Sequence, residues 1–189
     1  MIVLSVNAGS SSLKFQAFDM PEENVLISGV FEKIGNKDIF YTIKLNGEKT
    51  KKEVELKNHE AAMEIVMQEL MDNGIVSSLD EIKAIGHRIA QGGPYFDKTE
   101  EMTDENIKKV KELSSLSPLH NPAAVSGIKA AKTVVPNALQ TGVFDTAFHQ
   151  TIEEENYMYP VPYEWCEKYK VRKYGFHGTS HKYVAYRMN

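Results

Sequence analysis

Met1-Ile-Val-Leu-Ser-Val-Asn-Ala-Gly-Ser-Ser-Ser-Leu-Lys-Phe15 opens the chain, and the rest is understood from it. Met1 to Val6 form a short, nearly all-apolar run, the pattern of a strand buried on both faces. Asn7 to Ser12 form a turn of small residues rich in hydroxyls and backbone donors. A second apolar run, Leu13 to Phe18, follows and carries Lys14. The pattern predicts a hairpin whose tip lets a phosphate approach the backbone, because Gly9 has no Cβ and can take a positive φ. Ser10, Ser11 and Ser12 offer neutral donors, and Lys14 offers a point charge. No Gly-Lys-Ser/Thr ending and no helix follows, so this is not a Walker loop. Taken alone, the turn suits a plain surface hairpin equally well.

Outward from that hairpin, residues 1–57 read as all-β. Runs at Asn24–Phe31, Asp38–Leu45 and Lys51–Leu56 follow, with Asn46-Gly47 as a strong hairpin turn. The pattern then alternates between helix and strand. Asn58 caps a helix over about 59–73, with Ala62, Ile65, Val66 and Leu70 on one side and Gly74 as its stop. Lys83–Ile89 is a strand. Thr103 opens an amphipathic helix through Leu113, and Asn121-Pro122 caps a small-residue helix to about Thr133. Ala138–Phe144 is a further buried strand ending on Asp145. A short helix covers Tyr163–Tyr169, and Gly178 opens a last helix. The expected fold is α/β, a mixed sheet with antiparallel N-terminal strands and flanking helices. The last helix runs about eleven residues to Asn189 with no capping glycine, which suggests either a chain cut short of a partner domain or a frayed end.

Composition excludes several classes. The 189 residues permit about one domain, and 42% apolar with 25% charged residues is ordinary for a globular protein. A formal charge of −4 without a Lys/Arg cluster gives no footprint for nucleic acid. Lys49, Lys51 and Lys52 sit among glutamates and read as a solvated strand edge. The lone Cys166 permits no disulfide within the chain and reads as a small half-buried hydrophobe. With no signal segment and no membrane-length apolar run, the expectation is a cytoplasmic protein without a membrane partner.

In an open α/β sheet, ligands bind beyond the carboxyl ends of the strands. Asn7, Arg88 and Asp145 stand at three such ends. The arginine fork suits a carboxylate or a transferring phosphoryl group, and the aspartate suits Mg²⁺ held through water. A fourth segment, Lys173-Tyr-Gly-Phe-His-Gly-Thr-Ser-His181, sets two histidines beside glycines at a helix start. Each has a plainer reading: Arg88 as a surface ion-pair former, His87 as structural, His149 and His181 as capping or packing residues. The six histidines show no metal-ligand spacing, so no zinc site is expected. No Gly-x-Ser-x-Gly elbow supports an acyl hydrolase.

Taken together, five segments narrow the choice. Val6-Asn-Ala-Gly-Ser-Ser-Ser-Leu-Lys14, Gly86-His-Arg88 with Gly92-Gly93, Ser117-Pro-Leu-His-Asn-Pro122, Val143-Phe-Asp-Thr-Ala-Phe-His149 and Tyr174-Gly-Phe-His-Gly-Thr-Ser-His181 occur in this order. They resemble the acetate kinase family of the actin-like, ribonuclease H-like phosphotransferase superfamily over essentially the whole chain. The resemblance implies reversible transfer of the ATP γ-phosphoryl to acetate, giving acetyl phosphate and ADP with Mg²⁺. It implies that residues 1–189 are the N-terminal acyl- and phosphate-binding domain of a two-domain kinase, with the nucleotide-binding domain largely absent. It further implies phosphate contacts from Asn7, Ser10, Ser12 and Lys14, acid binding and transition-state stabilisation by Arg88, and metal binding by Asp145 with Asn7. His177 would stabilise the transition state. Ala90, Leu119 and Phe176 would line the acyl pocket, with His120 beside it. The family is homodimeric mainly through its second domain, so this chain alone is expected to be monomeric and inactive or nearly so.

Two positions depart from the family's usual His-Arg-Val-Val-His-Gly-Gly. Ala90 stands for valine and should widen the acyl pocket, which favours propionate. Gln91 stands for histidine and removes a titratable group. A kinase of propionate or butyrate, and a non-catalytic domain that binds phosphate or acyl phosphate, remain as alternatives.

Overall fold

In a computed structural model, which describes residues 1–188, eight strands form one mixed sheet. Strands β1 (Ile2–Ala8), β2 (Ser12–Asp19), β3 (Asn24–Glu32), β4 (Phe40–Leu45) and β5 (Glu48–Glu53) form an antiparallel meander. Helix α1 (His59–Asp72) then leads to β6 (Ile82–Ile89), which lies parallel to β1. The two-residue β7 (Glu100–Glu101), α2 (Asp104–Glu112) and α3 (Asn121–Val134) precede β8 (Leu139–Phe144), which is parallel to β6. Helices α4 (Glu154–Tyr157), α5 (Tyr163–Tyr169) and α6 (Gly178–Met188) complete the order. Across the sheet the strands run β5-β4-β3-β2-β1-β6-β8-β7. The mixed α/β architecture matches the sequence expectation.

Helices α1, α2 and α3 cover one face. Leu4, Val6, Phe15 and Ile85 point into it and meet Ala62, Val66 and Leu70 of α1. Ile89 and Phe144 meet Val110 of α2 and Ile128 of α3. Because only that face is covered, β1 alternates rather than being buried on both faces: Leu4 and Val6 are buried, Ser5 is exposed. The other face carries Ser5, Asn7, Lys14, Gln16 and Arg88.

Local signals explain most boundaries. Asn58 and Thr103 accept the Ala61 and Asn106 amides at 3.0 and 3.2 Å, capping α1 and α2. Asn46 and Gly47, at φ 51 and 87, close a two-residue turn that pairs Leu45 with Glu48. The fifth strand therefore starts at Glu48, three residues before the expected Lys51. Asn7 belongs to β1, opposite Lys14, and not to the turn. Gly9 does not take a positive φ; a Cβ there would lie 2.6 Å from the Ser12 hydroxyl. The tip thus needs glycine for space, not for backbone handedness. Asn121 caps nothing. Its buried amide instead accepts the Gln91 N–H at 3.2 Å and donates to the Gln91 and Val110 carbonyls at 2.9 and 3.2 Å.

Lys52 does more than solvate an edge. It meets the buried Glu69 at 2.6 Å, where the Tyr41 hydroxyl (2.7 Å) and the Asn73 amide (3.1 Å) also donate. This cluster pins α1 to the β4–β5 hairpin. Burial alone would raise the Glu69 carboxyl, but the donors from Lys52 and Tyr41 outweigh it and hold it below its ordinary value. No described helix is long and apolar enough to cross a membrane.

Candidate active site

The carboxyl ends of β1, β6 and β8 lie side by side, because these three strands are parallel neighbours. That geometry brings Asn7, Arg88 and Asp145 together from positions up to 138 residues apart in sequence (145 − 7). Arg88 Nε donates to both Asp145 oxygens at 3.1 and 3.2 Å, and Nη2 donates to Oδ2 at 2.7 Å. Nη1 reaches Asn7 Oδ1 at 3.5 Å, a long contact. The Asp145 side chain is 2% exposed and that of Arg88 38%. A buried carboxylate therefore orients a guanidinium whose far edge still faces the open side of the sheet, a pre-set fork for an anion.

His177 comes in from the turn before α6, with Nδ1 3.8 Å from Asp145 Oδ2, beyond hydrogen-bond length but within ion-pair reach. The Gly178 amide donates to the Asp145 backbone carbonyl at 2.8 Å. A cavity of about 610 Å³ is lined by Asn7, Arg88, Asp145, His177, Thr179 and Ser180, among others. A second, of about 470 Å³, continues across the open face from Asn7 to Lys14, Gln16, Ser28, Lys44 and Lys49. Lys14 shares the Asn7 register and stands exposed on the wall of the second cavity. Ser10 is exposed and Ser12 half-buried at the hairpin tip, whose Gly9 carbonyl meets His59 Nε2 at 2.7 Å.

Ala90 is buried just after β6, while Leu119 and Phe176 are 72% and 48% exposed and His120 is exposed before α3. No hydrogen bond joins these four to the Arg88–Asp145 pair. Gln91 faces inward, its Oε1 accepting the Gly93 amide at 2.8 Å. It thus holds its own loop together instead of standing at the site. His87, beside Arg88, points into the helix-covered face and donates to Gln140 Oε1 at 2.8 Å. Burial pushes its pKa down to about 4, against a small upward pull from that bond.

Sequence reasoning passed over Thr146 and Gln150. The buried Thr146 hydroxyl accepts the Gly92 amide at 3.0 Å, and Gln150 donates to the Gly93 carbonyl at 3.0 Å. Both tie the loop after β6 to the loop after Asp145. Their only signal was position, Thr146 within the Val143–His149 segment and Gln150 directly after it.

Comparison with known proteins agrees with this geometry. The acetokinase family model matches residues 2–189. Acetate kinases of Anoxybacillus flavithermus and Bacillus subtilis are 52% and 51% identical over 185 residues, 98% of this chain and 47% of theirs. The chain thus spans about half the length of the curated relatives it matches. The crystal structure of Porphyromonas gingivalis acetate kinase superposes with TM-score 0.94 at 44% identity, over 99% of this chain and 48% of that one. A propionate kinase structure from Francisella tularensis gives 0.92 at 38% identity, over 98% and 47%.

Proposed function

The chain belongs to the acetokinase family, and on that premise we propose that it is the acyl- and phosphate-binding half of a two-domain, actin-like kinase. The proposed reaction is reversible transfer of the ATP γ-phosphoryl to acetate, giving acetyl phosphate and ADP. The observation that carries this reading is the Arg88 fork, oriented by the buried Asp145 and open to solvent where β1, β6 and β8 end.

Phosphoryl transfer asks little covalent work of a protein, so positioned positive charge supplies most of the catalysis. Acetate is already ionised at neutral pH and needs no general base. Its repulsion from the triphosphate must be offset. Arg88 would bind the acid carboxylate and the transferring group with the guanidinium edge that Asp145 leaves free. His177, its side chain 74% exposed, would donate to the same equatorial oxygens. Asn7, Ser10, Ser12 and Lys14 would hold the phosphates along the hairpin.

The donor set suits Mg²⁺, which takes oxygen ligands and is usually bound by one or two carboxylates plus substrate phosphates. Asp145 Oδ2 accepts from both Nε and Nη2 of Arg88, whereas Oδ1 accepts from Nε alone and keeps a lone pair to give. Asp145, with Asn7 beside it, would hold the ion. When bound, Mg²⁺ would neutralise charge on the phosphate oxygens.

Ala90, Leu119 and Phe176, with His120 adjacent, would surround the acyl methyl once the second domain closes over them. A propionate-preferring enzyme is the second reading, favoured by the small buried Ala90 and by the likeness to a propionate kinase. The full enzyme would act in the cytoplasm as a homodimer, and this chain by itself as an inactive monomer.

Hydroxamate trapping of acyl phosphate tests the proposal, with Mg-ATP and acetate, propionate or butyrate in turn. The chain alone is expected to give no product, and addition of the second half of the B. subtilis enzyme is expected to restore turnover. A well-folded mixture without turnover on any acid would refute it in favour of a domain that only binds phosphate or acyl phosphate.

A further inference from the structure

We propose that His149 is a positioning residue that fixes His177 over the Asp145 carboxylate; the importance of His177 rests on the phosphotransfer reading above. His177 sits at φ 55, the left-handed region that side-chain-bearing residues avoid. Its own packing does not hold it there. The His177 side chain is 74% exposed, and its neighbour Phe176 is 48% exposed. Something outside the turn must maintain the conformation.

The segment that follows Asp145 supplies it. His149 ends the 3₁₀ turn Ala147–His149 and meets the Phe176 carbonyl through Nε2 at 3.0 Å. A carbonyl has no proton to give, so Nε2 carries it, and the neutral ring is the Nε2–H tautomer. The backbone opposite is shaped to the ring. A Cβ at Gly175, itself at φ 73, would lie 2.5 and 2.6 Å from His149 Cδ2 and Cγ. The ring is held edge-on between Phe148 and His181, at centroid distances of 5.5 and 5.7 Å. The Gly178 amide, bonded to the Asp145 carbonyl at 2.8 Å, closes the turn from its other end.

Asp145 and His149 are thus two fixed points of one short segment, and the turn carrying His177 is strung between them. His149 acts through the Phe176 carbonyl and does not itself face the Arg88 cavity. Its loss would let His177 drift, and a displacement of about 1 Å is enough to cost about 10²-fold in a positioned reaction.

The deciding experiment is amide hydrogen exchange on the ¹⁵N-labelled chain, comparing His149→Leu, which fills the space without donating, with His149→Gln, which can donate. The Leu4 and Phe15 amides in β1 and β2 report the global fold. His149→Leu should speed exchange at Gly178 at least about tenfold with Leu4 and Phe15 unchanged, and His149→Gln should stay within about threefold of the parent. Unchanged Gly178 protection in His149→Leu, or equal loss in both variants, overturns the proposal. Should His149→Leu unfold altogether, His149→Gln decides: retained Gly178 protection supports the assignment and lost protection refutes it.

In the two-half enzyme, His149→Leu should lower kcat about 10²-fold with KM for Mg-ATP nearly constant, and His149→Gln should recover most of it. A kcat loss that glutamine does not rescue also overturns the assignment. The exchange measurement needs no turnover, so its failure refutes the positioning role alone. Absent turnover in the parent two-half enzyme refutes the phosphotransfer reading alone.

Discussion

Lowering the pH from about 7.5 to about 5 should destabilise this chain before most of its carboxylates protonate, and His87 is the reason. The residue is 2% exposed on the helix-covered face of β6, donating to Gln140. Its pKa is about 4 when folded, against 6.5 for the free side chain. The unfolded chain therefore binds a proton at this position that the folded chain refuses, and stability falls as pH drops from 6.5 towards 4. Each unit of difference is worth about 1.4 kcal/mol, so the full window corresponds to about 3 kcal/mol. Integrated from about pH 7.5 to about pH 5, where the folded ring is still mostly neutral, the loss is about 2 kcal/mol. Urea unfolding followed through the single Trp165, repeated across that interval, measures it. A His87→Gln chain keeps a donor for Gln140 and has no proton to take up, so its stability should be about 2 kcal/mol less sensitive to the same pH change. Parallel pH curves for parent and variant would refute the argument, since they would mean that the ring is solvated or that Gln140 accommodates the charge.

Replacing Arg88 with lysine should cost the two-half enzyme about 10³-fold or more in acyl phosphate formation. An ammonium cannot reproduce the fork that Asp145 orients, and an unchanged far-ultraviolet circular dichroism spectrum would exclude misfolding as the cause. Glu69→Ala leaves Tyr41, Lys52 and Asn73 without their common acceptor and should destabilise the chain by about 2–4 kcal/mol in urea. The depressed Glu69 carboxyl sets the sign of its own pH effect: that contribution is present above the ordinary carboxyl pKa of 4.5 and is lost as pH falls below it. Ala90→Val should lower the propionate-to-acetate ratio of kcat/KM by about tenfold, as expected when the two added methyl groups take the space of the one methylene by which propionate exceeds acetate, and an unchanged ratio would sink the pocket assignment.

How legible the molecule was depended on the distance over which each signal acts. The caps at Asn58 and Thr103, the Asn46-Gly47 turn and the helix over Tyr163–Tyr169 are governed by neighbours within a few residues, and they stood where expected. The fifth strand was placed at Lys51–Leu56, three residues past its true start. The turn geometry instead dictates pairing from Glu48, and every residue of β5 is exposed. Asn121 was misread because a helix-start asparagine has the same sequence signature whether it caps or reaches away. The loop around Gln91, 30 residues earlier, supplies the partners that draw it inward.

The sequence alone determined the order of the main elements, the exposed hairpin with Asn7 and Lys14, and the suitability of Arg88 for an anion and of Asp145 for Mg²⁺, with His177 singled out beside a helix start. Those properties reside in residue types and short spacings. Tertiary structure decided which of them meet. Only the parallel packing of β1, β6 and β8 sets Arg88 against Asp145 across 57 residues with a 2.7 Å contact. Only the close fit of Gly175 to His149 shows how the turn bearing His177 is held beside that pair. Local propensities carry no information about such contacts, because their energy arises from burial and alignment that exist only after the chain has folded.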